Sequence, residues 1–214
     1  MRVESATTTM PQPAYNELLL QRDGNRYRWE LLANSNLTLQ HLDTNEVLKT
    51  VRLGIECGRL PEDTGTDIPA ILGKFGLLKD GVLNNAAAVL FGKHEDMEYP
   101  QCLLRLARFK GTDKTVFMDS QRIQGNFFQL LNAAMAFIFK HLSLSGTTDT
   151  LEREEHLTIP YKAIREGVLN SLTHRSYKEA GGSVGIAIYD DRVEIENPGT
   201  FPPEMGCRKN EVRA

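Results

Sequence analysis

Glu166, Asn170 and His174 recur at four-residue intervals in the stretch REGVLNSLTHRSY, Arg165 to Tyr177. On a helix turning about 100° per residue, positions spaced this way fall within roughly 80° of one another and make a single stripe. The stripe is a carboxylate, a carboxamide and an imidazole, three different donor and acceptor types, which suits a ligand. A face kept only for solvation generally carries Lys and Glu pairs at the same spacing. Short polar stripes are nonetheless common on surface helices, so the stripe alone leaves both readings open.

The element that must carry it is a helix with Pro160 in its first turn, running to about His174. Ile164, Val168, Leu169 and Leu172 fill much of the remaining circumference, while Gly167 and Ser171 are small enough for a neighbour to approach. The stretch GGSVGIAIYDDRVEIENPG then reads as a β-hairpin. Val184, Ile186 and Ile188 alternate onto one face; Gly185 and Ala187 leave the other face shallow, and a helix could lie close against that shallow side. Asp190-Asp191 suits the turn, since Asp tolerates left-handed backbone. Val193 and Ile195 continue the apolar side, and Asn197-Pro198-Gly199 forms a rigid turn that delivers a carboxamide at the sheet edge.

The rest of the chain frames this pair of elements. Its 214 residues are enough for one large domain or two small ones, and a net charge of −3 gives no global pull toward nucleic acid. Cys57, Cys102 and Cys207 are scattered and have no metal spacing, which points to reduced thiols and a cytoplasmic location. No apolar run approaches the roughly 20 residues of a membrane span, so no membrane partner is expected. The opening MRVESATTT reads as strand-like and YNELLLQR, around Tyr15 to Arg22, as a brief helix. Asp43 and Glu46 have capping-box spacing ahead of an apolar face of Val47, Leu48, Val51 and Ile55, with a stop at Gly58. Asp67, Pro69 and Gly76 repeat the signature in DIPAILGKFGLL. This helix pair is compatible with DNA reading, but its apolar faces are explained by helix packing alone. NNAAAVLFG reads as a buried strand ending at Gly92, QCLLRLARFKG as an alternating strand and KTVFMDSQRIQG as a third. Asn126 caps FFQLLNAAMAFIFKHL, apolar almost all round and therefore a buried helix. Residues 143–156 form a polar, charge-rich linker. The fold class expected is α+β.

The spacing E-x-x-x-N-x-x-x-H on a helix, followed by a strand ending in a D/N-x-G turn, resembles the N-box and first glycine box of GHKL (Bergerat-fold) ATPases. More narrowly, REGVLNSLTHRSY with IAIYDDRVEIENPGTFPP is similar to the ATPase-like domain of RecG-like, helicase-related transcriptional regulators with a Schlafen/AlbA-type N-terminal domain. RVESATTT with YNELLLQR resembles the last strand and exit helix of that N-terminal domain, and GVLNNAAAVLFGK and LLRLARFKG fit the group's middle region. The resemblance implies a tail of the upstream domain over 1–22, a helical module over 23–82, an α+β region over 83–142, a linker over 143–156 and a partial Bergerat-type domain over 157–214.

Carried over residue by residue, it implies that Glu166 polarises water, that Asn170 ligates Mg²⁺, and that His174 and Arg175 lie on the phosphate side of bound ATP. Asn197 takes the place of an adenine-reading Asp and Gly199 that of the first glycine. Asn197 is a departure, since a neutral acceptor replaces a carboxylate; Phe201 and Ser176 depart from the pattern as well. Only about 40 residues follow the helix, fewer than a complete Bergerat fold needs, so ATP binding by these residues is expected to be weak or absent. Gly92-Lys93 is followed by His94 and Gly73-Lys74 by Phe75, so the chain has no P-loop and helicase activity is not expected. DNA contact is assigned to an upstream domain, and a homo-oligomer is compatible with the group. The alternative is an interaction scaffold with a degenerate nucleotide site.

Overall fold

The computed structural model describes residues 28–93, 99–142 and 159–199, together with the backbone of four short strands. Those strands pair as β1 (Arg2–Val3) with β2 (Ala6–Thr7) and β7 (Leu144–Thr147) with β8 (Glu154–Leu157), both antiparallel. The helix expected around Tyr15 to Arg22 lies outside the described residues. The linker expected over 143–156 is corrected in part, because both ends of that segment enter the β7–β8 ladder. The described structure is α+β, in two packed parts.

The first part is helical. α1 (Thr44–Glu56) starts where the Asp43 carboxylate accepts from the backbone N–H of Asn45 and Glu46, and α2 (Ile68–Lys74) where Asp67 accepts from Ala70. Such side-chain caps supply partners that the first helical turn lacks. A tight hairpin of β3 (Leu78–Lys79) and β4 (Val82–Leu83) follows, with Asp80 and Gly81 in the left-handed region. Then comes α3 (Asn85–Phe91), where a buried strand was expected. Asn84 caps it by accepting from Ala87, and a run of three alanines loses no side-chain entropy in a helix. Short apolar runs are ambiguous in period, and here the cap decided. Val47, Val51, Ile71, Leu72, Leu83 and Phe91 close the core of this part.

The second part is a four-stranded sheet backed by two helices. β5 (Leu103–Phe109) pairs antiparallel with β6 (Phe117–Gln124), and α4 (Phe127–His141) follows under an Asn126–Gln129 capping box. α5 (Tyr161–Thr173) leads to β9 (Val184–Ile188), which returns parallel to β5, and β10 (Val193–Glu196) forms the far edge. The sheet order is β10-β9-β5-β6, so the segments on either side of residues 143–156 share one sheet. A parallel neighbour requires a crossover, and α4 and α5 make it over one face. Leu104, Leu106, Val184, Ile186 and Ile188 meet Leu130, Ile138, Val168 and Leu172 there.

Two expectations about the hairpin change. The helices cover the Val184/Ile186/Ile188 face and leave the Gly185/Ala187 face open. Burying branched side chains at about 25 cal/mol per Å² outweighs a closer approach over glycine and alanine. Asp190 and Asp191 do not take left-handed backbone; Asp80 is the one non-glycine that does among the described residues. Asp190 and Asp191 still make the turn, bracketed by Tyr189 N–H donating to the Arg192 carbonyl at 2.9 Å. Asn126, wholly buried, joins the two parts by donating to the Gly92 carbonyl at 3.0 Å.

Candidate functional site

The last carbonyls of α5 have no partners inside the helix, and the chain that follows supplies them. His174 N–H donates to the Asn170 carbonyl at 2.9 Å, Asn197 Nδ2 to that of Ser171 at 3.1 Å, and the Tyr177 hydroxyl to that of Leu172 at 2.7 Å. Ser176 N–H donates to the Pro198 carbonyl at 2.9 Å, so the 197–199 turn is tied to both the helix end and the residues beyond it. Gly199 fits because a Cβ there would lie 2.6 Å from the His174 carbonyl oxygen. No larger residue could bring the turn so close.

The stripe stands on the exposed side of this junction. Glu166 and Asn170 are exposed and share a hydrogen bond, Asn170 Nδ2 to Glu166 Oε1 at 3.1 Å; His174 is exposed at the helix C-cap. Gly167 faces Ile195 of β10, and Asn170 lies about 60° round the helix from it, so the stripe borders the row that packs on the sheet edge. The two carboxamides are held alike. Each donates through Nδ2, Asn170 to Glu166 on the surface and Asn197 to the Ser171 carbonyl, and no hydrogen bond to either Oδ1 occurs among the described residues.

Arg175 is placed differently from the rest. It turns inward, with a relative exposure of 6%, and its Nε, Nη1 and Nη2 find no hydrogen-bond acceptor among the described residues. Its guanidinium lies over the Tyr177 ring at 4.8 Å from the centroid, beside a helix C-terminus, and both contacts offset part of the desolvation. Burial pulls its pKa down, while Tyr177 and Cys102 pull it up. Burial pushes the Cys102 thiol up to about 12 and the Tyr177 hydroxyl well above its ordinary range. Cys102 therefore stays protonated and is no nucleophile. Around Tyr177, Trp29 stacks at 6.3 Å and Gln101 Nε2 donates to the Tyr177 carbonyl at 3.2 Å. The sequence reading missed this cluster, because its members come from three separated segments with no shared motif.

The structure thus brings Asn170, Asn197 and Gly199 to one junction with Glu166 one turn back along α5, leaves His174 exposed at its rim and buries Arg175 beside the turn, where Arg175 Nη2 and Pro198 Cγ lie 3.3 and 2.8 Å from the position a Gly182 Cβ would take. Thr200 and Phe201 lie outside the described residues. No group of three metal-ligating side chains occurs among the described residues, and no described helix is long and apolar enough to cross a membrane.

No family model and no curated protein matches the chain. The crystal structure of the DIP2311 protein from Corynebacterium diphtheriae is similar in fold, with a TM-score of 0.64 at 15% identity. The match covers 94% of this chain and 39% of that one, so the chain spans well under half of that neighbour's length. At this identity the likeness speaks for the fold alone.

Proposed function

We propose that the junction of α5 with the 197–199 turn is one wall of an ATP-binding site of the GHKL type, in a cytoplasmic regulator whose DNA contacts lie outside these residues. The observation that carries the reading is the closure of the 197–199 turn onto the end of α5, with Asn197 Nδ2 on the Ser171 carbonyl and Gly199 against that of His174. Asn197 Oδ1 would accept from the adenine amino group, and Asn197, unlike an Asp, can also donate to the Ser171 carbonyl. Asn170 Oδ1 would hold Mg²⁺, which when bound neutralises phosphate charge. Glu166, steadied by the Asn170 amide, is the residue that would orient a water and take its proton. His174 faces solvent on the phosphate side.

Calorimetry with ATP, with and without Mg²⁺, tests the reading. ATP binding, expected to be weak in these residues, should require Mg²⁺, and Asn170→Ala should remove that requirement and weaken binding about tenfold or more. Binding indifferent to both overturns it. The burial of Arg175 favours a second reading, a nucleotide sensor or scaffold without turnover. Where turnover is measurable, Glu166→Ala should lower it about 100-fold with binding intact; its absence in wild type selects the second reading.

A further inference from the structure

The helix-free face of the sheet is built to a different rule from the face the helices cover. One row across it is Arg122, Arg105, Gly185 and Glu196, set directly opposite one another on β6, β5, β9 and β10. The neighbouring row carries only small side chains until its acidic end: Ser120, Ala107, Ala187 and Glu194. Beyond it, Phe109 packs tilted against Phe117 and stacks on Tyr189, with ring centroids 4.5 and 5.2 Å apart. A groove of about 570 Å³ runs over these rows. That is the size of a small-molecule site.

Its charges do not cancel internally. Glu194 binds Arg192 at 2.7 Å and accepts from the Tyr189 hydroxyl at 3.3 Å, and Glu196 lies 4.0 Å from Lys114. Arg105 and Arg122 make no ion pair or hydrogen bond among the described residues, although they sit directly opposite each other. Like charges in that position repel, and an oxyanion between two guanidiniums reverses the sign of the interaction. The floor is open for no packing reason. A Cβ added at Gly185 would meet nothing nearer than Glu196 Cβ at 4.0 Å, and its backbone is not left-handed, so a larger residue would fit a strand better than glycine does.

We propose that this face binds a small amphipathic organic anion. Its sulfonate, carboxylate or phosphate head lies between Arg105 and Arg122, and its flat apolar body covers Gly185, Ala107 and Ala187 toward Phe109 and Phe117. Phe109 lies four positions along β5 from Arg105, about 13 Å. The ligand therefore has its charge at one end and a ring system at the other. The groove is separate from the α5 junction, since the whole sheet lies between the face it occupies and the helix layer.

The probe is 8-anilinonaphthalene-1-sulfonate, titrated by fluorescence at physiological salt and mapped by amide chemical shifts. Saturable binding of one molecule per chain is expected, with the largest shifts at Gly185, Ala187 and Ser120. Arg122→Glu, on an exposed edge strand, should weaken it about tenfold, and Arg105→Ala with Arg122→Ala at least as much. Gly185→Val should block the floor and abolish binding while the melting temperature holds. Binding that survives Arg122→Glu and Gly185→Val overturns the proposal. So do the absence of saturable binding and shifts gathered on exposed apolar residues outside the groove, such as Leu31, Leu32 and Leu53, which would mark general dye adsorption.

Discussion

The two faces of the four-stranded sheet are drawn from alternating residues of the same strands, yet they carry different burdens. On the covered face Leu104, Leu106, Val184, Ile186 and Ile188 are each at most 2% exposed. On the open face the matching positions are glycine, alanine, serine, arginine and glutamate. Burial of large apolar surface is what holds α4 and α5 to the sheet, at about 25 cal/mol per Å² removed from water. The open face contributes little of that kind, and so its residues are free to serve a ligand. Folding energy and binding capacity sit back to back on single strands.

The largest effect should come from a direct test of that division. Ile186→Ala should cost about 3 kcal/mol in urea denaturation, because a buried branched side chain leaves a cavity. Gly185→Val, one residue away, should change stability by no more than about 0.5 kcal/mol. Equal losses at the two positions would mean that something packs on the open face after all. A smaller effect is expected where α5 meets the sheet edge. Asn197→Asp removes the donor to the Ser171 carbonyl and sets a carboxylate against it, a loss of about 1 kcal/mol or somewhat more near neutral pH. Lowering the pH should recover part of it, since a protonated Asp can donate again; a variant equally unstable at all pH values would put the loss elsewhere.

The smallest effect is electrostatic. Lys140 and His141 lower the Asp119 pKa and so tether α4 to the rim of β6, while Arg108 and the Gly111 N–H lower that of Asp190 at the far end of β9. A carboxyl whose pKa falls on folding contributes fully above its unfolded value and loses the contribution as pH drops through the folded one. The melting temperature should therefore fall slightly below about pH 4. Asp190→Asn should flatten that decline; an unchanged profile would assign the acid sensitivity to other carboxylates.

Several features were legible before any coordinates. Asp43, Asp67 and Asn126 cap the helices they were expected to cap, because a cap is an exchange between residues two or three apart. The alternation of β9 and the sharing of one helix face by Glu166 and Asn170 were equally local matters of period. The strand expected over NNAAAVLFG failed for the same locality, since a short apolar run fits either period and the Asn84 cap tipped it to a helix.

What the sequence by itself determined was therefore the helix starts, the strand alternation and the polar stripe. Tertiary structure alone decided which strand β9 would lie beside, because β5 pairs in parallel with a strand some 80 residues later, Leu104 against Val184. The same pairing set Arg105 beside Gly185 and opened the groove. It was tertiary packing, too, that turned Arg175 inward, against the Tyr177 ring, within a cluster assembled from Trp29, Gln101 and Cys102. Periodicity reports only what a residue's near neighbours do, and these contacts join segments far apart in the chain.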